Sequence, residues 1–413
     1  MGDAHAPQPP RVASTPADHC PEAVPTPPSI AVKVLYALPH PVQYQSPMIR
    51  RLVSGGVELS VVYARGEQRF FDPEFNRELA WDRPLMEGYN SLVLGPSEDR
   101  STLARLLADH ARECGAAAVW AHGWSQPMDL AAWNASARLR LPLMIRGDST
   151  LPGRRGGGLH QRVHRWLYAR RFRRVAACLA VGSWNAAFYR AYGVPDERIF
   201  QVPYAVDNAF FQRQAREASS SREILRRSLG LEPGLPVVLF CGKLIAKKDA
   251  ATLIQALSLA GPSAEARLLV VGDGELRLVL EKLAEDLIPG RARFAGFKNQ
   301  SELPAIYELC DVFVIPSTYE PFGLVVNEVM NAGKPVIASD RVGCWPDLVR
   351  PGVNGAVFPA GDARALAEVL RPFLLDASLR ESAGRASLEI INRWSFEEDL
   401  AGIQAALEFV RGR

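Results

Sequence analysis

The chain has 413 residues, 48 lysines and arginines against 45 aspartates and glutamates, a net charge of +3 and a hydrophobic fraction of 48%. That is the composition of an ordinary folded protein of two or more domains. No apolar run approaches the ~18 residues of a spanning helix, and the near balance of charge speaks against a nucleic-acid partner. The six cysteines, at 20, 114, 178, 241, 310 and 344, include no Cys-x-x-Cys pair, a pattern of reduced thiols rather than of a zinc site. The opening residues lack the basic-then-apolar layout of a secretory signal, so a cytoplasmic protein is expected.

Residues 1–29 are rich in proline and lack apolar periodicity, which predicts a disordered tail. From there short β-rich runs alternate with helical stretches. Strands are expected at 32–36, 57–63, 91–94, 117–120 and 143–145, and helices at 46–52, 102–114 and 128–139. Arg65 to Gly88 interrupts the alternation with loop composition and the aromatic anchors Phe70, Phe71, Phe75 and Trp81. The second half repeats the alternation, with strands at 237–240, 268–271, 293–295, 312–315 and 335–338 and helices starting near Lys248, Glu275, Ser301 and Gly323. Connections this short imply parallel strands with crossover helices. The fold class is therefore α/β, with two Rossmann-like doubly wound domains, 30–208 and 209–394, facing a central cleft where ligands bind at the carboxyl ends of the strands.

Charge is unevenly spread. Between Ser149 and Pro195 lie the nine arginines 154, 155, 162, 165, 170, 171, 173, 174 and 190, and no acid. Leu159, Val163, Trp166 and Leu167 fall on one helical face between them, giving a basic amphipathic helix. A solvated basic face explains this simply; an anionic membrane surface met through 154–174, on the inner face of the cell membrane, or an anionic acceptor explains it functionally.

The segment from Pro316 to Ser339 carries the most chemistry. A strand ends, a loop bears Glu320, and a helix opens at Phe322-Gly323-Leu324. The free amides of that first turn, with the helix dipole, suit a diphosphate. Glu328 stands further along the helix, so carboxylates on either side of the anion site can grip hydroxyl groups, a sugar at one end and a ribose at the other. Phe240-Cys-Gly-Lys243-Leu-Ile-Ala-Lys-Lys248-Asp likewise joins a strand to a helix, and its lysines suit phosphate oxygens. Val271-Gly272-Asp-Gly274-Glu275 is a glycine-bearing turn, although Arg277 spoils a full dinucleotide fingerprint. Gly296-Phe297-Lys298 could offer backbone groups to a nucleobase.

These motifs, in this order, resemble the retaining GT-B glycosyltransferases of family 4, the group 1 type. The resemblance runs through GKLIAKKD, VVGDGEL, FAGFKNQSELPAIYELCDVFVIPS and YEPFGLVVNEVMNAGKPVIASDRVGC; it covers about half of the chain well and the N-terminal half loosely. It implies a transferase moving a sugar from a nucleotide-diphosphate sugar to an acceptor hydroxyl on a glycan or lipid-linked glycan, in cell-envelope or exopolysaccharide assembly. Lys243 and Lys248 would hold the diphosphate and Glu320 the donor sugar. Glu328 would bind the ribose, Phe322, Gly323 and Leu324 would supply amides, and Phe297 would lie near the base, with Gly272 in the neighbouring turn. No metal and no cofactor beyond the donor would be needed, because the lysines and the helix end neutralise the leaving group. The last helix, within 395–413 and headed by Ser395 and Glu398 in capping-box spacing, would pack back on the first domain.

The chain also departs from the family pattern. The first βα turn, Leu38 to Gln43, has no glycine, and Gly147 stands where a histidine is usual, so that Asp148, His122 or Arg146 would serve on the acceptor side. Asp347 stands where a glutamate is usual and would cap a helix. Two other classes share parts of the pattern: a catalytically inactive binding subunit of the same shape, and a GT-B sugar-nucleotide epimerase.

Overall fold

Runs of valine, isoleucine and leucine long enough to be buried on both faces become the strands of two parallel sheets. The computed structural model describes residues 32–66, 69–72, 77–95, 99–151, 159–231, 234–261 and 264–412. The expected tail at 1–29, Phe75, Arg154 and Arg155 lie outside the described residues, as do the side chains of Phe70, Phe71, Leu159, Arg162, Val163 and Arg165.

In the first half the strands are β1 Val34–Leu38, β2 Leu59–Tyr63, β3 Arg69–Asp72, β4 Arg77–Ala80, β5 Ser91–Val93, β6 Ala118–Ala121, β7 Leu143–Gly147, β8 Ala177–Ala180 and β9 Ile199–Gln201. In the second they are β10 Val237–Cys241, β11 Arg267–Val271, β12 Ala292–Gly296, β13 Val312–Ile315, β14 Val336–Ser339 and β15 Gly355–Phe358. The first sheet has the order β5-β2-β1-β6-β7-β8-β9 and the second β12-β11-β10-β13-β14-β15. Every pairing within them is parallel. The strand order reverses beside β1 and beside β10, and these two switch points are where side chains at the carboxyl ends meet a ligand.

Three features differ from the sequence reading. The stretch expected as loop contains the antiparallel hairpin β3–β4, a pair of four-residue strands held by contacts to the other domain rather than by local pattern. The strands β8 and β15, Ala-Cys-Leu-Ala and Gly-Ala-Val-Phe, carry little β propensity of their own. They form because each adds to a parallel edge already in place. The helix expected from Lys248 is preceded by a tight turn, and the regular helix runs Ala250–Leu259.

Helix Phe396–Arg411 opens with the capping box of Ser395 and Glu398 and lies on the first sheet. There Leu400, Ile403, Leu407 and Val410 join Val34, Tyr36, Leu52 and Leu59 in one buried cluster. Gly402 permits this approach, since a Cβ there would sit 2.0 Å from the Gln201 carbonyl. A buried ion pair fixes the helix: Arg146, at the end of β7, donates to Asp399 at 2.7 Å and to the carbonyls of Val202 and Pro203. Both side chains are almost wholly buried, at 2% and 1% exposure. Burial pushes the Asp399 carboxyl up to about 7, against the opposing pull of Arg146. Asp399→Ala, which strands the guanidinium in the core, is expected to cost about 3–5 kcal/mol in urea unfolding. The paired change Arg146→Met with Asp399→Leu is expected to cost far less.

Candidate functional site

The loops leaving β10 and β13 are joined through backbone. The Thr318 amide donates to the Lys247 carbonyl at 2.9 Å, and the Thr318 hydroxyl adds a second bond to the same oxygen. Asp249 then takes a left-handed backbone (φ 51°), which aspartate tolerates better than most residues, and caps helix Ala250–Leu259 through Thr252. The chain therefore doubles back at Lys248, whose amine donates to Glu320 Oε2. Both side chains are largely covered, at 22% and 12% exposure.

Glu320 is itself held at both backbone ends. Its amide donates to the Arg341 carbonyl, and its carbonyl accepts from Gly343. A Cβ on Gly343 would lie 1.8 Å from the Pro321 oxygen. Gly323, at φ 100°, caps helix Leu324–Asn331; a side chain there would press on Val342 and Glu320. The Val326 amide closes on the Gly323 carbonyl at 2.9 Å, and the amides of Leu324 and Val325 ahead of it have no partner within the helix. Phe322 turns the other way, into the core, with its ring 5.3 Å from Tyr204.

Glu328, on the same helix, meets Tyr307 from helix Leu303–Leu309, whose hydroxyl donates to Oε2. Cys241 Sγ lies 3.9 Å from that hydroxyl. Burial pushes the Glu328 carboxyl up to about 7, with the tyrosine bond pulling the other way. Lys243, in the loop between Cys241 and Lys248, pairs across the cleft with Asp72 of β3 at 2.9 Å. Two further bonds dock the hairpin region beside Phe297: Asn299 donates to the Ala80 carbonyl, and Ser301 to Asp82. Arg83 stacks 4.0 Å over the Phe210 ring.

The acceptor-side residues form a second group at the ends of β6 and β7. His122 lies between the Tyr36 hydroxyl at 2.9 Å, Gln45 at 2.8 Å and the Tyr204 hydroxyl at 3.1 Å. Burial, the Arg146 charge and His40 push its pKa down to about 3, so it is a neutral imidazole at physiological pH. Asp148 is half-buried; burial raises its pKa, and the Glu320 charge adds to that rise. The two carboxylates thus face one another electrostatically from opposite walls of the cleft.

Lys248 and Glu320 thus stand at the head of helix Leu324–Asn331, with Glu328 further along it, Lys243 held by Asp72 of the hairpin, and Asp148 near enough to Glu320 to be raised by its charge. Gly272 does something else. Its amide donates to the Gly296 carbonyl, and a Cβ on it would lie 1.9 Å from the Gly242 oxygen. It is a glycine because two loops cross there, and its amide is already used. Gly147 has a similar explanation, since a side chain would collide with Trp124 at 2.8 Å. Arg146 belongs to the buried tether described above. Asp347 accepts from the Ser183 amide at 2.9 Å and from its hydroxyl, and so caps helix Ser183–Ala191 of the opposite domain.

Four participants escaped sequence reasoning. Asp72 sits in a hairpin read as loop, and Tyr307 is a helix residue whose only signal was its place in the third resembling motif. Tyr204 and Gln45 become site residues only through His122.

Among the described residues no helix is long and apolar enough to cross a membrane. The family model for group 1 glycosyl transferases matches residues 221–389, and that for the glycosyl transferase 4-like domain matches residues 41–205. An uncharacterized glycosyltransferase of Methanocaldococcus jannaschii is 39% identical over 136 residues, 32% of this chain and 35% of its own. A D-inositol 3-phosphate glycosyltransferase of Acidothermus cellulolyticus is 29% identical over 87% of this chain and 83% of its own. The chain spans 35% to 56% of the length of the curated relatives that it matches over shorter segments. Among solved structures, Anabaena HepE in complex with UDP superposes with a TM-score of 0.71 at 20% identity, covering 91% of this chain and 99% of that one. With one glycosyltransferase model on each half, and two parallel α/β domains meeting at their switch points, the chain belongs to the group 1 glycosyltransferases of the GT-B fold.

Proposed function

We propose that the protein transfers a glycosyl group, with retention, from a nucleotide-diphosphate sugar to an acceptor hydroxyl. The observation that carries this reading is the meeting of Lys248 and Glu320 at the head of helix Leu324–Asn331. A cation, a row of amides and a carboxylate there suit a phosphate joined to a polyhydroxyl ring. Lys243 and Lys248 draw the diphosphate, each amine contributing on the order of 4 kcal/mol of Coulomb energy at 4 Å before desolvation. Both amines already pair with carboxylates, so the net gain is smaller, and the diphosphate must displace Asp72 and loosen Glu320. Glu328 receives the ribose hydroxyls and Glu320 the donor sugar hydroxyls. Two lysines and a helix end supply the positive charge that a departing diphosphate needs, which supports a reaction without metal or further cofactor.

Glu320 is ion-paired and therefore a poor nucleophile, which favours attack from the leaving-group face over a covalent intermediate. The acceptor oxygen bonds to the anomeric carbon as the carbon–phosphate oxygen bond breaks, and the hydroxyl proton passes to the departing phosphate oxygen. Asp148 and neutral His122 then orient the acceptor. The complex of the Anabaena neighbour with UDP supports a nucleoside diphosphate as the shared part of the donor. The acceptor is a glycan or lipid-linked glycan of the cell envelope or an exopolysaccharide, reached from the cytoplasm. The arginine-rich helix Leu159–Phe172 and the arginines after it bring the protein to the anionic inner face of the membrane.

Lys248→Ala and Glu320→Ala are each expected to lower transferase kcat/KM by about 10²–10³-fold while the protein still folds and unfolds cooperatively; steady-state kinetics and melting curves check both. Asp72→Asn removes one carboxylate charge from beside Lys243 and is expected to tighten nucleoside diphosphate binding up to about fivefold, ~1 kcal/mol, by calorimetric titration. For Glu328 the sign follows from its raised pKa. The folded protein loses stability as pH climbs from the ordinary carboxyl range to about 7, because burial resists the ionised form. A ribose diol donates to that ionised form. Nucleoside diphosphate Kd should therefore fall roughly tenfold between pH 6 and 8 in the native protein and less in Glu328→Gln.

A further inference from the structure

A cavity in the first domain lies at the end of its sheet away from the cleft. It opens where β1, β6 and β7 begin, beside Val32, Ala117 and Pro142, and has a volume of about 1010 Å³, the scale of a site for a sizeable organic ligand. Its rim holds Arg100, Arg140, Arg170, Arg171, Arg174 and Arg411, and among the described residues no acidic one lines it. All six are exposed, and none forms a salt bridge among the described residues. They come from four separate places in the chain: the start of helix Arg100–Glu113, the end of helix Pro127–Leu139, the arginine-rich helix with its following turn, and the end of the last helix. Like charges gathered from distant segments around one opening repel each other, and a bound anion relieves that repulsion.

The floor has the opposite character. Trp133, Leu141, Leu143 and Val410 line it, and the last two are buried in the core around the sheet. Leu167, 48% exposed, stands at the same opening, and Trp166, 61% exposed, lies one residue before it on the same helix. Inorganic phosphate would satisfy the rim and leave the floor unused, whereas a fatty acyl chain without a charged head would do the reverse. An anion carrying an acyl chain uses both.

We propose that this cavity is a binding site for one anionic glycerophospholipid of the membrane, its phosphate on the arginine rim and an acyl chain over Trp133 and Leu141. The inference shares the arginine-rich helix with the membrane reading above and sharpens it, from diffuse attraction to a stoichiometric site. It does not depend on the donor chemistry at the other end of the sheet.

The test is calorimetric titration of the full chain with monomeric dihexanoyl phosphatidylglycerol, against dihexanoyl phosphatidylcholine and inorganic phosphate. Saturable binding with one lipid per chain is expected, at least about tenfold tighter than either control, with each factor of ten worth ~1.4 kcal/mol. The triple variant Arg100→Gln, Arg140→Gln, Arg411→Gln lies off the arginine-rich helix and is expected to lose that binding while keeping its melting point and nucleoside diphosphate affinity. Phosphatidylglycerol with brominated chains should quench tryptophan fluorescence in the native protein and less in Trp133→Phe. Binding of phosphate as tight as that of the lipid, equal binding of the two lipids, or an unaffected triple variant overturns the proposal. So does absence of binding, which occupation of the cavity by residues 1–31 or by a second copy of the chain would produce. Adsorption of the protein to phosphatidylglycerol vesicles without monomer binding overturns the site and leaves the membrane reading standing.

Discussion

The bond from Thr318 to the Lys247 carbonyl decides where the charges of this molecule lie. Without it the loops after β10 and β13 would carry Lys248 and Glu320 on independent tethers, and a flexible lysine loses side-chain entropy for every contact it holds. With it, the amine and the carboxylate meet as a consequence of backbone geometry. The left-handed turn at Asp249, the crossing of Gly272 over Gly242 and the packing of Gly343 on Pro321 serve the same end, since each brings two loops closer than side chains would allow. The site is rigid at its backbone and adjustable only in its side chains, which suits preorganised electrostatics.

The two domains are joined at several points around this centre. Tyr204 is the most connected of them. Its hydroxyl reaches His122, its ring meets Phe322, and its carbonyl accepts from Asn327 and Trp394. Asp347 holds the first domain's helix Ser183–Ala191, while Asp72 and Asp82 reach from the first domain to the second. The cleft walls contributed by the two domains are thus in mechanical contact, and a change in charge at Lys243 is felt by a hairpin belonging to the other half.

Sequence made much of this visible, and the limits have physical causes. The strands β10, β11, β13 and β14 are short runs rich in valine, isoleucine and leucine, and the opening of the helix at Gly323 follows from a glycine placed where a loop must turn tightly. Ser395 and Glu398 announce their own cap. By contrast, β8 and β15 are held by neighbours rather than by propensity, and β3–β4 by the domain opposite. Gly272 looked like a ligand glycine because close approach to a phosphate and close approach to another loop require the same residue. The neutral state of His122 depends on its burial and on the charge of Arg146, whose convergence is a matter of topology that no local pattern encodes.

Because helix Phe396–Arg411 returns to the first sheet, the chain passes between the two domains twice, near Val202 to Asn208 and again before Ser395. The first domain is therefore not a contiguous stretch of sequence, whereas the second is. A fragment cut after the first crossing would present Leu400's docking site, lined by Met48, Leu52 and Leu59, bare to water and would be prone to aggregate. A chimaera meant to exchange donor preference between members of this family needs two splice points, with the final helix kept alongside the N-terminal partner it evolved to cover.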